Sequence, residues 1–214
     1  NKFIETLWWL LKELYKKGYL YKGYTIQPYS PAAGTGLSSH ELNQPGCYRD
    51  VKDTTCTAQF LIKSQSPIAN SQSPIANSQS PIANSQLPLY ALAWTTTPWT
   101  LPSNTALCVG PKIDYVIVKG ENPYTKIEAL YLLAEARLAA YTKELGEAPE
   151  VLWKGKGTDL EGLEYEQLIP WANPGEGAFK IILGDYVTTE DGTGIVHIAP
   201  TFGADDAFVA KKAG

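Results

Sequence analysis

Most of the side chains that could take part in chemistry lie in two short segments. The first is the threonine run 95–97, and the second is residues 191–206, which hold His197, one of two histidines in the chain, and the aspartate pair 205–206. Threonine hydroxyls both donate and accept hydrogen bonds, and a carboxylate stabilises a nearby cation. The sequence has no glycine-rich phosphate loop, no Ser-His-Asp signature and no metal-binding cluster. These residue types can therefore donate and accept hydrogen bonds around a bound ester or water molecule.

A structural role would also explain each of these residues separately. Threonine is β-branched and common in strands, and a histidine at the end of a strand can be a hydrogen-bonded core residue. Aspartates at a helix start cap the helix and interact favourably with its dipole. However, the threonine run ends against Pro98, which indicates that its hydroxyls stand at a strand end. The separate explanations leave open why both segments occur in one chain.

The apolar pattern predicts the elements that would position these segments. Helical spacing predicts helices over Phe3–Lys17 and Ile127–Leu145, and the start of a third over Asp205–Lys212. Apolar and alternating runs predict strands at residues 19–29, 55–63, 87–95, 114–119, 160–168, 180–186 and 194–198. Many short strands with Gly and Pro turns predict a mixed α/β fold, with a β-barrel-like core and peripheral helices.

A seven-residue unit, Ser-Pro-Ile-Ala-Asn-Ser-Gln, repeats over residues 66–86 after a partial copy at 64–65. The proline in every unit excludes a coiled coil, because it removes a helical hydrogen bond and clashes with the preceding turn. One isoleucine per unit is too little apolar surface to offset ordering. We therefore predict a flexible, polyproline-II-like insertion at 64–86 without a catalytic role. An interaction or fibre-forming module built on the repeats is the alternative.

Charge and cysteine content restrict the classes of function. The net charge is −4 and the pI is about 5.3, so no overall basic field indicates independent nucleic-acid binding. Three cysteines at spacings that match no metal motif, without a signal peptide, indicate reduced thiols and a cytoplasmic location. The apolar stretch at 7–11 is too short to span a membrane. The lack of methionine and the start inside a helical pattern indicate a piece of a longer protein.

Two longer motifs resemble a known family. Residues 94–104, WTTTPWTLPSN, closely resemble the threonine-rich signature of the isoleucyl-tRNA synthetase editing domain. Residues 192–206, GTGIVHIAPTFGADD, resemble its second signature, and Phe3–Leu42 resembles the segment that leads into it. Leucyl and valyl relatives carry an arginine where this chain has Thr97. The resemblance implies the synthetase editing-domain fold, with a helical lead-in at 1–24, the editing domain at 25–206 and a truncated C-terminal helix at 207–214.

The resemblance also implies a function and a set of site residues. The implied reaction removes valine wrongly attached to the isoleucine tRNA, with valyl-adenylate as a second candidate substrate. The positions that match the family's catalytic residues are Thr95, Thr96, Thr97, His197 and Asp206. Those that match substrate-binding positions are Trp99, Asn104 and Asp205. In this scheme Asp206 holds the α-ammonium group and Asp205 has helix capping as its alternative role. The threonines surround the amino acid and place the water, and His197 helps to exclude the larger side chain.

The same resemblance bears on cofactors and partners. Many bacterial relatives carry a zinc-binding cysteine pair where this chain has Ser30 and Ala33, so we expect no metal there. The ATP-binding signatures of the class are absent, so no cofactor is expected in this fragment, although the parent enzyme uses ATP and magnesium. The implied partners are the 3′ end of a mischarged tRNA and the remainder of the synthetase, with no membrane. A non-catalytic tRNA-binding module of the same enzyme is the alternative.

Overall fold

A computed structural model describes residues 1–23, 25–63 and 85–214. Two compact units make up the chain, residues 1–49 and residues 50–214. The predicted repeat insertion at 64–86 falls mostly on residues 64–84, which lie outside the described residues. No helix in the described part of the chain has the length and hydropathy needed to cross a membrane.

Within its described residues the first unit contains two helices and a two-stranded hairpin. These elements are α1 (Lys2–Lys16), β1 (Tyr29–Ser30), β2 (Thr35–Gly36) and α2 (Ser39–Leu42). The helix predicted over Phe3–Lys17 is confirmed, and the backbone leaves it at Gly18 with a positive φ of 74°. The strand predicted at 19–29 is wrong. In the described part of that segment only Tyr29 belongs to a strand, and the aromatic alternation finds no partner strand that would order it.

The second unit contains eight strands and two helices within its described residues. They are β3 (Cys56–Leu61), β4 (Leu89–Thr95), β5 (Ala106–Val109), β6 (Asp114–Glu121), β7 (Glu128–Ala134), α3 (Thr142–Leu145), β8 (Val151–Lys156), β9 (Lys180–Leu183), β10 (Ile195–Ile198) and α4 (Ala204–Ala213). Three 3₁₀ turns connect them, at Pro98–Ser103, Glu135–Tyr141 and Gly157–Leu160.

These strands form two open sheets. The larger has the order β3-β4-β7-β6-β8, in which only the β4–β7 pair is parallel. The smaller has the order β10-β5-β9, with β10 antiparallel and β9 parallel to the central strand. The mixed α/β class is thus confirmed, but the described strands do not close into a barrel.

The main core contains apolar side chains from both sheets, such as Phe60 and Leu132 from the larger and Leu107 and Ile181 from the smaller. A second cluster on the larger sheet includes Val116, Tyr131 and Leu145 of α3. A third cluster on the smaller sheet includes Val209 of α4. Each sheet therefore buries both of its faces, and the smaller one holds the strand that carries His197.

The helix predicted over Ile127–Leu145 is wrong for its first half. Residues 128–134 form the strand β7, and a 3₁₀ turn and the four-residue α3 follow. All residues of β7 except Glu128 are buried, because the strand pairs on both edges and is covered on both faces. A strand buried in this way has a continuous apolar sequence that periodicity cannot separate from a helix. The segment predicted as a strand at 160–168 forms only isolated bridges, at Glu164 and Tyr165.

Candidate functional site

The threonine run stands where the larger sheet ends. Thr95 is the last residue of β4, and the chain turns at Thr97 into the 3₁₀ turn, with Pro98 at its first position. The Thr95 hydroxyl accepts a hydrogen bond from the Thr97 backbone N–H at 3.0 Å and lies 3.3 Å from the Thr97 hydroxyl. Thr96 is exposed and takes no part in these hydrogen bonds. Alternation along the strand end thus separates one solvent-facing hydroxyl from two that face inward.

A fourth threonine extends this group towards the second segment. Side chains three residues apart in a 3₁₀ turn lie on the same side, which places Thr100 beside Thr97. The Thr100 hydroxyl donates to the Thr97 carbonyl at 2.8 Å and lies 3.3 Å from the Thr97 hydroxyl. It also lies 2.9 Å from Nε2 of His197, on β10. Thr100 therefore joins the two sequence motifs directly.

His197 is buried, and both of its ring nitrogens have partners. Nε2 faces Thr100, and Nδ1 lies 3.4 Å from the side-chain nitrogen of Asn104. The Asn104 amide in turn donates to the Ala106 carbonyl at 2.8 Å, and its oxygen accepts from the Tyr165 hydroxyl at 2.6 Å. Burial lowers the pKa of the His197 imidazole to about 4. The ring is therefore neutral near pH 7 and acts through hydrogen bonds.

Asp206 lies in the first turn of α4 and is bonded to the chain just beyond His197. One carboxylate oxygen accepts a hydrogen bond from the Ala199 backbone N–H at 2.9 Å. Burial raises the pKa of this carboxyl, the Ala199 hydrogen bond opposes that shift, and the neighbouring charge of Asp205 adds to it. Among the described residues no second hydrogen-bond partner contacts the Asp206 carboxylate, whereas Asp205 is exposed.

The loop before β10 is held against the threonine strand. Arg137 donates to the backbone carbonyls of Glu190 and Gly192, at 2.9 and 2.8 Å. Gly192 has a positive φ of 66°, and a Cβ there would come within 2.8 Å of the Trp94 ring. Any larger residue would therefore push the loop away from β4.

The structure brings together most of the predicted site residues. Thr95, Thr97, Asn104 and His197 belong to one hydrogen-bonded group, and Asp206 is bonded to the backbone of Ala199, two residues beyond His197. Thr96, Trp99 and Asp205 are exposed, with Trp99 retaining 62% of its surface. The roles of all eight residues stay predictions.

Sequence reasoning missed Thr100 and Tyr165. The i,i+3 spacing from Thr97 after a proline could have indicated Thr100, because a turn would place both hydroxyls on one side. Tyr165 lies 61 residues from its partner Asn104, and no local pattern signals that contact.

No group of three or more His, Cys, Asp or Glu side chains that could hold a metal occurs within residues 1–23, 25–63 and 85–214. Ser30 accepts a hydrogen bond from the Ala33 N–H at 3.2 Å, inside the turn between β1 and β2. A cavity of about 150 Å³ opens beside Lys180 and Ala210, and its lining does not include the threonine run, His197 or Asp206.

Comparison with known proteins identifies relatives of the whole chain. The family model of the class I tRNA synthetases (I, L, M and V) matches residues 1–133. The isoleucine–tRNA ligase of Bacteroides fragilis is 64% identical over 228 residues, which cover 100% of this chain and 19% of that protein. The corresponding ligase of Porphyromonas gingivalis is 59% identical, again over 100% of this chain and 19% of its own length. The chain thus spans about a fifth of the length of the curated relatives it matches.

Solved structures share the fold. The editing domain of the P. knowlesi cytosolic leucyl-tRNA synthetase matches with a TM-score of 0.56 and 18% identity, covering 72% of this chain and 60% of that domain. The P. falciparum counterpart gives a TM-score of 0.55 at 14% identity, covering 72% and 63%. The synthetase resemblance and the editing-domain fold predicted from the two motifs are confirmed at this level.

Proposed function

The chain belongs to the class I tRNA synthetases (I, L, M and V), and from this membership we propose that it hydrolyses valine from mischarged isoleucine tRNA. The high identity to isoleucine–tRNA ligases supports the choice of isoleucine tRNA. The fold shared with leucyl-tRNA synthetase editing domains supports the choice of reaction. Valyl-adenylate is a second candidate substrate of the same site.

A separate hydrolytic site is needed because isoleucine and valine differ by one methylene. A binding pocket discriminates between two such side chains by only ~1–3 kcal/mol, a limit for which the isoleucyl enzymes are the usual example. A site that admits valine and excludes isoleucine by size removes the remaining errors.

One observation carries the proposal. The threonine motif and the histidine motif, 97 residues apart, meet in the 2.9 Å contact between Thr100 and His197. The carboxylate of Asp206 is bonded to Ala199, two residues beyond that histidine. The hydroxyls and the neutral imidazole thus form one hydrogen-bonded group, and the acidic group is bonded to the backbone two residues further along the chain. An aminoacyl ester needs such groups, because its ammonium group requires acceptors and its carbonyl requires donors.

The free oxygen of Asp206 would receive the α-ammonium group of the substrate. The partial burial that raises the pKa of Asp206 also strengthens its attraction for a cation, and a bound ammonium in turn favours the ionised carboxylate. The remainder of the ester would then extend towards Thr96 and Thr97, at the edge of the cluster of threonine hydroxyls.

The proposed chemistry is direct hydrolysis. The oxygen of a water molecule attacks the ester carbonyl carbon, the bond from that carbon to the ribose oxygen breaks, and the ribose oxygen takes up a proton. The threonine hydroxyls would orient the water and the carbonyl, and most of the rate would come from this orientation and from hydrogen bonding to the developing oxyanion. His197 would hold the threonines in place and restrict the space for the side chain.

Deacylation of purified valyl-tRNA and isoleucyl-tRNA, both on the isoleucine tRNA, by the synthetase that contains this chain tests the proposal. We expect the valyl ester to be hydrolysed far faster than the isoleucyl ester. Equal rates for both esters, or rates no higher than in buffer, would reject an editing role. A Thr96→Ala, Asp206→Ala double variant measures any hydrolysis by other parts of the enzyme.

A further inference from the structure

Tyr165 and Asn104 form a buried hydrogen-bonded pair behind His197. Tyr165 is fully buried, and Asn104 and His197 retain 5% and 6% of their surface. Burial raises the pKa of the Tyr165 hydroxyl well above its ordinary value, and the hydrogen bond to Asn104 opposes that shift. The hydroxyl therefore keeps its proton at physiological pH and donates it to Asn104.

The surroundings of Asn104 determine which way its amide faces. The Ala106 carbonyl accepts hydrogen bonds only, so the NH₂ group of Asn104 must face it, at 2.8 Å. The Tyr165 hydroxyl donates to the amide oxygen on the other side, at 2.6 Å. With the amide held in this orientation, its second N–H points at Nδ1 of His197, which must accept. A neutral imidazole that accepts at Nδ1 carries its proton on Nε2.

The tautomer of His197 in turn decides where the Thr100 proton points. The Nε2–H group donates to the Thr100 oxygen, and the Thr100 proton is already donated to the Thr97 carbonyl. In the contact between the Thr97 and Thr100 hydroxyls, Thr97 must then be the donor. Because the Thr97 proton is used in that contact, Thr95 must be the donor in the contact between the Thr95 and Thr97 hydroxyls. Thr97 is left with a free lone pair and no free proton.

We propose that Tyr165 and Asn104 are positioning residues, which hold His197 in the Nε2–H tautomer. The Thr100 proton is thereby left to the Thr97 carbonyl, and this bond fixes the turn that presents the Thr97 hydroxyl as a hydrogen-bond acceptor at the edge of the site. A water molecule bound there donates one proton to Thr97 and so turns a lone pair towards the ester carbonyl. This consequence rests on the proposed hydrolysis, whereas the tautomer does not. Asn104 thereby acts behind His197 and makes no contact with the substrate.

The histidine content of the chain makes the tautomer measurable. Only His40 and His197 are present, and His40 is exposed, in the first unit. A long-range ¹H–¹⁵N spectrum of the chain labelled with ¹⁵N-histidine separates a protonated ring nitrogen from an unprotonated one. At pH 7.5 we expect His197 to show protonated Nε2 and unprotonated Nδ1. A protonated Nδ1 in the unmodified chain would overturn the proposal.

Two variants test the cause of that tautomer. Asn104→Asp replaces the amide donor by an acceptor, so the Nδ1 resonance of His197 is expected to move to the protonated position. Tyr165→Phe leaves the amide held by Ala106 alone, so Nδ1 is expected to move part of the way. Tyr131→Phe, a buried tyrosine of the second core cluster, is the matched control and should leave both nitrogens unchanged. An unmoved Nδ1 in Tyr165→Phe would remove Tyr165 from the proposal, even if Asn104→Asp failed to fold.

Kinetics of the synthetase that contains this chain separate this proposal from the proposed function. Tyr165→Phe should lower kcat for valyl-tRNA hydrolysis about fivefold and leave KM within twofold, because a positioning group does not bind substrate. A rise in KM with kcat unchanged would instead assign the pair to substrate binding. If the unmodified enzyme hydrolysed no valyl ester while His197 showed the expected tautomer, the proposed function would fail and the tautomer assignment would stand.

Discussion

The hydrogen-bonded network around His197 and the start of α4 differ in how many of their polar atoms have hydrogen-bond partners. At His197 both ring nitrogens, the Thr100 hydroxyl and the Asn104 amide are all engaged by protein partners. At Asp206 a half-buried carboxylate has one backbone partner and, among the described residues, no second one. A saturated network is rigid and can only position, whereas an unsatisfied carboxylate is available to a ligand. The difference predicts that Asp206 binds the substrate and that the network around His197 orients the reacting groups.

The largest effect is expected from Asp206→Ala. Loss of the carboxylate leaves the substrate ammonium unpaired, so valyl-tRNA hydrolysis should fall by at least ~100-fold, equivalent to about 3 kcal/mol. The thermal unfolding midpoint should change little, because the residue is only partly buried. Asp191→Ala, an exposed carboxylate of the preceding loop, is the matched control. An unchanged rate of valyl-tRNA hydrolysis in Asp206→Ala would show that this carboxylate does not bind the substrate.

The fully hydrogen-bonded network around His197 predicts that the stability of the fold depends on pH. Burial depresses the pKa of His197 from 6.5 in the unfolded chain to about 4 in the folded one, so the unfolded state takes up a proton first as the pH falls. The contribution of neutral His197 to the free energy of unfolding is fully present above pH 6.5. About 3 kcal/mol of it is lost as the pH falls from 6.5 to 4.

The free energy of unfolding in urea, measured from pH 4 to 7.5 for the unmodified chain and for His197→Gln, isolates this contribution. The raised pKa of Asp206 acts in the opposite direction, and it largely cancels in the difference between the two chains. Parallel curves for both chains would show that His197 is not a buried neutral base.

A smaller effect on stability is expected from Thr100→Val, which keeps the shape of the side chain and removes its hydroxyl. The buried Nε2–H of His197 then has no acceptor, so the free energy of unfolding should fall by about 1–3 kcal/mol, as measured in urea. Thr105→Val, a half-buried threonine just before β5, serves as the control. Equal stability of Thr100→Val and the unmodified chain would contradict the saturated network.

The smallest effect is expected from Thr96→Ala, which tests whether Thr96 belongs to the substrate site or to the network around His197. Thr96 is exposed, so Thr96→Ala should leave the free energy of unfolding within about 0.5 kcal/mol. In the proposed complex its hydroxyl bonds the ester, so hydrolysis should fall about tenfold, equivalent to roughly 1.4 kcal/mol. Unfolding and deacylation measured on the same preparations test both statements. A loss of stability without a loss of rate would place Thr96 in the rigid network instead.

The sequence predicted the chemistry-bearing segments better than the elements around them. The strand ending at Thr95 is signalled locally by an apolar run between Pro88 and Pro98. The strand ending at Ile198 is signalled by β-branched residues between Gly194 and Pro200. The helix start near Asp205 and Asp206 follows from the preference for acidic residues in a first turn, although Gly203 is the N-cap and neither aspartate caps the helix. These signals act over a few residues, so they survive without knowledge of the tertiary fold.

The errors arose where burial or distant partners decide the structure. The strand β7 is apolar along almost its whole length because both of its faces and both edges are covered, and that information is tertiary. The expected barrel would require a strand pairing that closes the sheet, and no local pattern determines such a pairing. Tyr165 escaped notice for the same reason, since its partner lies on a different element.

A crystal structure of the synthetase that contains this chain, bound to a non-hydrolysable valyl-adenosine analogue, tests the central claim most directly. We expect the α-ammonium nitrogen within hydrogen-bond distance of Asp206, the carbonyl beside Thr96 and Thr97, and the His197 network unchanged. An isoleucyl analogue should not occupy the same position. A valyl group bound elsewhere, with Asp206 still bonded only to Ala199, would contradict the account.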